Sequence, residues 1–340
     1  MNERQFRQKI TWVTFLASLL VVWVHSVNWE LFLGPEGEGS LVAVIERTLA
    51  ERVGQIAVPC FFMVSAYLFF RNFSWEMLVR KWKSRVRSLL VPYLIWNVLY
   101  YFAYLFAAKI GERTGILDVQ TVPLDAATLV RALFFYAYNP VFWYLYQLIL
   151  LTILAPLVYV LMKHRLTAAL TIACLFVLIR ENVFLPQINA DALFYYCVGA
   201  FCAITGRFGR EKTSLAVLFA AGVAAWLLGR EGGILWNNPL AIVLERFFGA
   251  GLLWVAVSIC PLPAPPKLAK DNFFLYAIHF VVVRLANKVA AFFFEGNAVA
   301  ASVIFLILPS IALFANAVLT GVLSRIAPGI YRLLSGGRGK

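Results

Sequence analysis

Charged side chains are scarce in this sequence. Of its 340 residues only 14% are Asp, Glu, Lys or Arg, whereas 62% are hydrophobic. Soluble domains usually carry about 25% charged and about 45–50% apolar residues, so a soluble protein with this composition would lack the polar residues that cover its surface. The composition therefore excludes a soluble globular domain and predicts a protein whose solvent is lipid.

Acidic residues and potential metal ligands are also few. The chain has 17 Asp and Glu, three His and five Cys, and no Cys stands at a metal-ligand spacing from a His. We therefore expect buried structural thiols and no metal site. The net charge of +13 comes from short basic clusters between apolar runs. That pattern is typical of loops that face anionic membrane lipid, and it does not indicate a nucleic-acid partner.

Long hydrophobic runs, by contrast, are abundant. A helix that crosses a bilayer needs about 20 mostly apolar residues, because its backbone polar groups must be satisfied internally. We therefore expect an all-α, polytopic integral membrane protein with about ten transmembrane helices. Residues 1–340 would form a single transmembrane domain with no appended soluble domain. The predicted spans are Ile10–Asn28, Val53–Phe70, Leu89–Ala108, Val141–Met162, Leu166–Ile179, Ala192–Thr205, Thr213–Leu228, Leu240–Cys260, Phe273–Phe294 and Val299–Leu323.

The distribution of Lys and Arg predicts the orientation of these spans. If the amino terminus lies inside, most of the basic residues between spans fall in cytoplasmic segments, and the opposite orientation places them outside. Cytoplasmic loops of membrane proteins carry an excess of Lys and Arg. An even number of spans then predicts that both termini are cytoplasmic.

Ionisable side chains inside the hydrophobic runs are candidates for a functional site. His25 lies near the end of the first run, and His279 lies early in the ninth, where Arg284 follows on the same helix. Such groups are costly in hydrocarbon and usually face a polar cavity, and a neutral imidazole can act as a general base near pH 7. Hydrogen bonding between helices would explain the same residues, and the pattern leaves both interpretations open.

Three further segments add special residues to the membrane pattern. The second run contains Ser65 among small residues that permit close helix approach. The basic segment Arg80–Arg87, which includes Arg85 and Arg87, leads into the third run. Its charge suits lipid headgroups, which are the default interpretation, or a phosphorylated cofactor. Trp143 opens the fourth run, which a proline interrupts. A proline inside a span usually marks a kink that faces protein or a cavity.

The order of these features resembles that of the membrane-bound acyltransferase family 3. This family includes bacterial O-acetyltransferases that modify cell-surface polysaccharides and peptidoglycan. The resemblance runs through most of the chain and includes the ten-span topology. The segments that carry it are His25, Pro59–Leu68, the basic segment into Pro92 and Tyr93, Phe142–Leu145 through Pro156, and Tyr276–His279.

The resemblance implies a multi-pass acyltransferase of the bacterial inner membrane. It would move an acyl group, such as acetyl, from cytoplasmic acetyl-CoA or another acyl-CoA to a hydroxyl of a cell-surface or lipid-linked glycan, without a metal. The resemblance also implies that His25 is the catalytic base and that Arg85 and Arg87 bind the phosphates of CoA. The other candidates would share a place in the substrate cavity: Ser65, Trp143, His279 and Arg284.

The sequence departs from the family pattern in the first and second spans. The family usually has an Asp and an Arg in the first span, and Thr11 and Thr14 stand at those positions here; Ala66 replaces a glycine. Another cation substitutes for the arginine, or the donor differs, or the activity has been lost. Two other classes of function remain open on composition: a polysaccharide or small-anion transporter or flippase, and a non-catalytic scaffold in a glycan-export complex.

Overall fold

The computed structural model describes residues 3–114, 121–206, 222–223 and 238–337. Regular structure in these residues is helical and they contain no strand, which confirms the predicted all-α class. The α-helices, in chain order, are α1 (Glu3–Val24), α2 (Trp29–Leu33), α3 (Leu41–Thr48), α4 (Ala57–Phe70), α5 (Leu78–Arg85), α6 (Val91–Thr114), α7 (Ala126–Phe135), α8 (Trp143–Ile153), α9 (Ala155–Met162), α10 (Arg165–Arg180), α11 (Ala190–Ile204), α12 (Pro239–Ile259), α13 (Lys267–Lys270), α14 (Asn272–Phe294), α15 (Ala298–Ile326) and α16 (Pro328–Leu334).

Six helical stretches of the described residues are long and apolar enough to cross a membrane, or seven if one broken pair counts as a span. The chain is therefore a multi-pass membrane protein. The broken pair consists of Pro140–Ile153 and Ala155–Met162 and corresponds to the predicted fourth span. The six stretches are Glu3–Leu33, Leu41–Phe70, Trp75–Glu112, Pro239–Ile259, Asn272–Phe294 and Ala298–Ile326.

The difference from the ten predicted spans has two sources. The predicted fifth and sixth spans are present as α10 and α11, with 16 and 15 residues, and both are shorter than a full bilayer crossing. The predicted seventh span, Thr213–Leu228, lies outside the described residues apart from Gly222 and Val223.

The described residues fold as two compact units. The first comprises residues 1–73 and 155–322, and the second comprises residues 74–154 and 323–340. Within the first unit, α1 packs against α4, α12 and α14. A buried cluster joins Val22 of α1 to Leu275 and Val283 of α14 and to Leu308 of α15. This packing fixes the end of α1, where His25 lies, against the middle of α14.

Helices α4 and α11 make the closest approach in the first unit. A Cβ atom placed on Gly199 of α11 would lie 2.8 Å from the Cα atom of Met63 in α4, so only glycine fits there. Helices α4 and α1 are antiparallel, because Arg71 after α4 bonds Glu3 at 2.6 Å, whereas Gly54 before α4 lies against the end of α1. Small residues commonly allow such close packing of membrane helices.

The second unit contains the basic segment. Its helix α5 continues through a π-helical turn, Val86–Leu90, into α6. The indole N–H of Trp82 in α5 donates to the carbonyl of Thr152 in α8 at 2.8 Å, and the indole of Trp96 in α6 donates to Leu334 of α16 at 3.1 Å. These bonds hold the basic helix and the first half of α6 within the unit.

Candidate active site

The turn that follows α1 carries His25. The helix ends at Val24, and the His25 backbone N–H still bonds the carbonyl of Val22 at 3.1 Å. The next residue, Ser26, is fully buried, and its hydroxyl donates to the same carbonyl at 2.7 Å. His25 itself is half-buried and lies directly after the end of the helix.

Buried amides attach this turn to α14. The side-chain amide of Asn28 donates to the side-chain oxygen of Asn287 at 3.1 Å, and the Asn287 amide donates to the carbonyl of Ser26 at 3.3 Å. One carboxylate oxygen of Glu46 accepts the backbone N–H groups of Asn28 and Trp29 at 2.7 and 3.0 Å. Buried polar groups held by several partners fix a single local arrangement, so this network sets the position of His25.

His279 lies on α14 directly beside His25. The centroids of the two imidazole rings are 5.3 Å apart, with an interplanar angle of 47°. His279 is fully buried, and its Nδ1 atom lies 2.6 Å from the carbonyl oxygen of Tyr276. Because a carbonyl only accepts, Nδ1 carries the proton and Nε2 is an acceptor. Nε2 has no hydrogen-bond partner in the part of the chain that the structure describes.

A phenyl ring separates this pair from the nearest cation of the same helix. The ring of Phe280 stands edge-on to His25, with centroids 5.5 Å apart and an interplanar angle of 87°. The guanidinium of Arg284 lies over the other part of the Phe280 ring, 5.4 Å from its centroid. The Arg284 side chain is exposed, and it contacts the site through Phe280.

The structure does not bring Ser65 to the imidazole pair. Ser65 lies in the half of α4 that leads to Tyr67, whose ring packs on Phe6 near the start of α1, with centroids 5.5 Å apart. His25 follows the opposite end of α1. Of the residues predicted for catalysis or the cavity in the first unit, His25 and His279 are therefore the two that share a site.

The remaining candidates, Arg85, Arg87 and Trp143, belong to the second unit. Arg85 ends α5 and lines a cavity of about 320 Å³ with apolar walls, formed by residues such as Val86, Leu89 and Ile149. Arg87 is exposed on the π-helical turn. Trp143 is half-buried at the start of α8. Arg85 thus places positive charge at the edge of an apolar cavity.

The described residues contain no group of three or more His, Cys, Asp or Glu side chains that could hold a metal. The chemistry that the first unit offers is acid–base chemistry by neutral imidazole. One imidazole is fixed, buried and oriented by a backbone carbonyl, and the other is half-buried and lies on a turn. Such an arrangement can take a proton from a hydroxyl and return it to a leaving group.

Comparison with protein families identifies the class. Residues 7–320 match the model of an acyltransferase domain, Acyl_transf_3, so the match covers nearly the whole chain. The chain belongs to this acyltransferase family, which confirms the resemblance drawn from the sequence. The matched range includes both imidazoles and the basic segment.

One curated relative is the succinoglycan biosynthesis protein ExoH of Rhizobium meliloti (strain 1021). It is 26% identical over 231 residues, which is 64% of this chain. The chain spans 60% of the length of that relative. No solved structure gives a significant match.

Sequence reasoning missed the residues that hold His25 in place. Asn28 stands at the end of the first predicted span, and Asn287 lies within the ninth between two basic residues, Arg284 and Lys288. Polar side chains within a span commonly face a protein interior. That signal was available at Asn287, although the charged neighbours on the same helix were the more conspicuous feature.

Proposed function

We propose that this chain is a membrane O-acyltransferase. It moves an acyl group, acetyl in the first instance, from a cytoplasmic acyl-CoA to a hydroxyl of a cell-surface or lipid-linked glycan. Family membership supports the acyl transfer, and the relative in succinoglycan biosynthesis supports a glycan acceptor. The observation that carries the proposal is the imidazole pair, His25 and His279, in a buried site of the first unit.

His25 acts as the general base in this reaction. It takes the proton of the acceptor hydroxyl as the oxygen attacks the thioester carbonyl, and a carbon–oxygen bond forms. When the tetrahedral intermediate collapses, the carbon–sulfur bond breaks and CoA leaves as a thiolate. The thiolate takes the proton from the His25 imidazolium, so His25 becomes neutral again and CoA is released as the free thiol.

Arg85 and Arg87 bind the phosphates of the CoA donor. Guanidinium groups form strong charge-assisted bonds to phosphate, and both residues lie on the basic segment of the second unit. Thr14 supplies no positive charge, and its hydroxyl donates to backbone carbonyls of its own helix, Ile10 at 2.9 Å and Thr11 at 3.2 Å. Ser65, Trp143 and Arg284 remain proposed contacts of the substrate.

The proposed orientation follows the charge bias. Both termini and the basic segment face the cytoplasmic side of the inner membrane. The acyl-CoA donor is made in the cytoplasm. The acceptor glycan then reaches His25 from the other side of the membrane or from within it.

The test uses the purified full chain in nanodiscs. Release of free CoA is followed with acetyl-CoA and with succinyl-CoA, with and without a cell-envelope glycan extract, for the wild type and for His25→Ala. Glycan-dependent release that disappears in His25→Ala supports the proposal. Absence of release from a folded wild type with every donor would contradict it and would favour transport or scaffolding.

A further inference from the structure

The proposed function leaves His279 without a specific role, although His279 has the most unusual environment of any imidazole among the described residues. It is completely buried, with 0% accessible surface, and touches neither lipid nor solvent. A buried polar atom without a partner costs about 1–3 kcal/mol, and most buried imidazoles therefore satisfy both nitrogens. Nε2 of His279 has no partner among the described residues, as is also true of Asn28 Oδ1 and Glu46 Oε1 nearby.

The geometry points to His279 as the positioning residue of His25: its Nε2 atom accepts the ring N–H of His25 and thereby fixes the tautomer of the catalytic base. This role rests on the proposed function of His25. It makes the other ring nitrogen of His25 the one that faces the acceptor hydroxyl.

The tautomer of His279 itself is set by the backbone. Nδ1 lies 2.6 Å from the carbonyl oxygen of Tyr276, one turn earlier in α14. This carbonyl belongs to a rigid helix, so the Nδ1 proton and the ring orientation are both fixed. The acceptor Nε2 is consequently held at a constant place on the ring, and the ring separation of 5.3 Å is short enough for a nitrogen of His25 to reach it.

His25 has the less enclosed ring of the two, on a backbone that the amide network holds. Its side chain is half-buried and lies on the turn after α1, whereas His279 is enclosed. The rings are tilted by 47°, and a rotation of His25 about its side-chain bonds brings one of its nitrogens to Nε2. Two imidazoles joined by a nearly linear hydrogen bond have centroids roughly 5 Å apart, given a bond length of about 2.9 Å. The observed separation already matches that distance.

The consequence for catalysis is one of orientation and charge. A neutral imidazole is a donor at one nitrogen and an acceptor at the other, and its partner decides which is which. When His25 takes the substrate proton it becomes an imidazolium with two N–H groups. His279 keeps its own proton on Nδ1 and accepts one of these N–H groups, so the positive charge has a fixed partner and no proton passes to His279.

A spectroscopic test needs no substrate. The chain has three histidines, His25, His164 and His279, and His164→Gln leaves two labelled rings in a sample with 15N-histidine in lipid. We expect a solid-state NMR correlation between a ring nitrogen of His25 and Nε2 of His279, and a single protonated nitrogen, Nδ1, on His279. In His279→Phe the His25 ring should show both tautomers.

A kinetic test uses two substitutions with different chemistry. His279→Phe keeps a planar ring and removes the acceptor. We expect kcat to fall about 10- to 100-fold with little change in KM, by analogy with the loss of a residue that orients a metal-ligating imidazole. His279→Gln offers a side-chain carbonyl near the position of Nε2 and should restore part of kcat. His164→Gln on the exposed loop serves as the control.

These outcomes separate the two proposals. If the nitrogen correlation is present but no acyl transfer is found, the pairing stands and the proposed function fails. If His25 shows the same tautomer in the wild type and in folded His279→Phe, the positioning role is wrong, whatever the enzyme does. Equal kcat in folded His279→Phe and in the wild type would also overturn it. Thermal unfolding of each variant shows that it is folded. Should His279→Phe not fold, the wild-type spectrum decides, because absence of the correlation between His25 and Nε2 of His279 would also overturn the positioning role.

Discussion

The two regions with candidate residues for acyl transfer are constructed differently. Around His25, polar groups are buried and joined by amide and carboxylate hydrogen bonds from the turn after α1, from α3 and from α14. Around Arg85, cations lie half-buried or exposed on one helix and the turn that follows it, at the edge of an apolar cavity. The first region provides fixed geometry, and the second provides charge.

This difference suits the two tasks that we propose. Proton transfer needs a base within hydrogen-bond reach of the reacting oxygen, which requires a position fixed to a fraction of an ångström. Binding of several phosphates depends on summed charge, and it tolerates some movement of each side chain. Substitutions near His25 should therefore act through geometry, and substitutions near Arg85 should act through charge.

The largest effect is expected for His25→Ala. Loss of a general base typically lowers the rate by about 100- to 10,000-fold, and we expect that range in kcat/KM for glycan-dependent CoA release. His164→Ala, an exposed imidazole on the loop before α10, provides the matched control and should retain wild-type activity. If both variants lose activity equally, the buried region has no special chemical role and the comparison fails.

The second effect tests whether the amide network fixes the site. Asn287→Leu removes the side-chain donor to the buried Ser26 carbonyl. It also removes one of the two acceptors of the Asn28 amide, which keeps its bond to the Ala301 carbonyl at 3.3 Å. Each unpaired buried group costs about 1–3 kcal/mol, so we expect a lower unfolding temperature in detergent together with a reduced kcat. Lys288→Leu, on the exposed side of the same helix, is the control. A stable Asn287→Leu with wild-type kcat would show that this network does not position His25.

The third effect is expected in the basic segment. Arg87→Gln removes one exposed cation, and we expect KM for acyl-CoA to rise about 10-fold with kcat unchanged, because a charge-assisted bond in contact with solvent is weaker than a buried one. Salt screens such charges, so the difference between variant and wild type should shrink at high ionic strength. Lys163→Gln removes the same charge from another exposed segment and should leave KM as it is.

The sequence predicted the class and both imidazoles, and it did not predict how they meet. His25 and His279 were identified because ionisable groups are rare in hydrophobic runs. Their contact depends on how α1 packs on α14, helices that are more than 200 residues apart along the chain. No local pattern carries that information. The same holds for Asn28 and Asn287, because the hydrogen bond between them joins residues that are 259 apart along the chain.

The location of Arg284 has a simple geometric cause. It follows His279 by five residues on the same helix, and five residues rotate a helix position by about 140°. The two side chains therefore point to different faces, which is why Arg284 is exposed while His279 is enclosed. The number of spans differs for another reason. Apolar runs predicted spans at α10 and α11, but these helices have 16 and 15 residues and are shorter than a full crossing.

The smallest effect is expected for Trp82→Phe, and it tests how far geometry matters in the basic region. The substitution keeps an aromatic wall of the cavity and removes the indole bond to the Thr152 carbonyl, which measures 2.8 Å. A typical hydrogen bond contributes about 0.5–1.5 kcal/mol to stability, so a slightly lower unfolding temperature is expected. KM for acyl-CoA should change less than twofold, because the charge of the segment is intact. Trp75→Phe, at a tryptophan that is 52% exposed, is the control and should change neither the unfolding temperature nor KM.

A large rise in KM for Trp82→Phe would mean that the arginines must be held as rigidly as His25, and that charge alone does not explain the basic region.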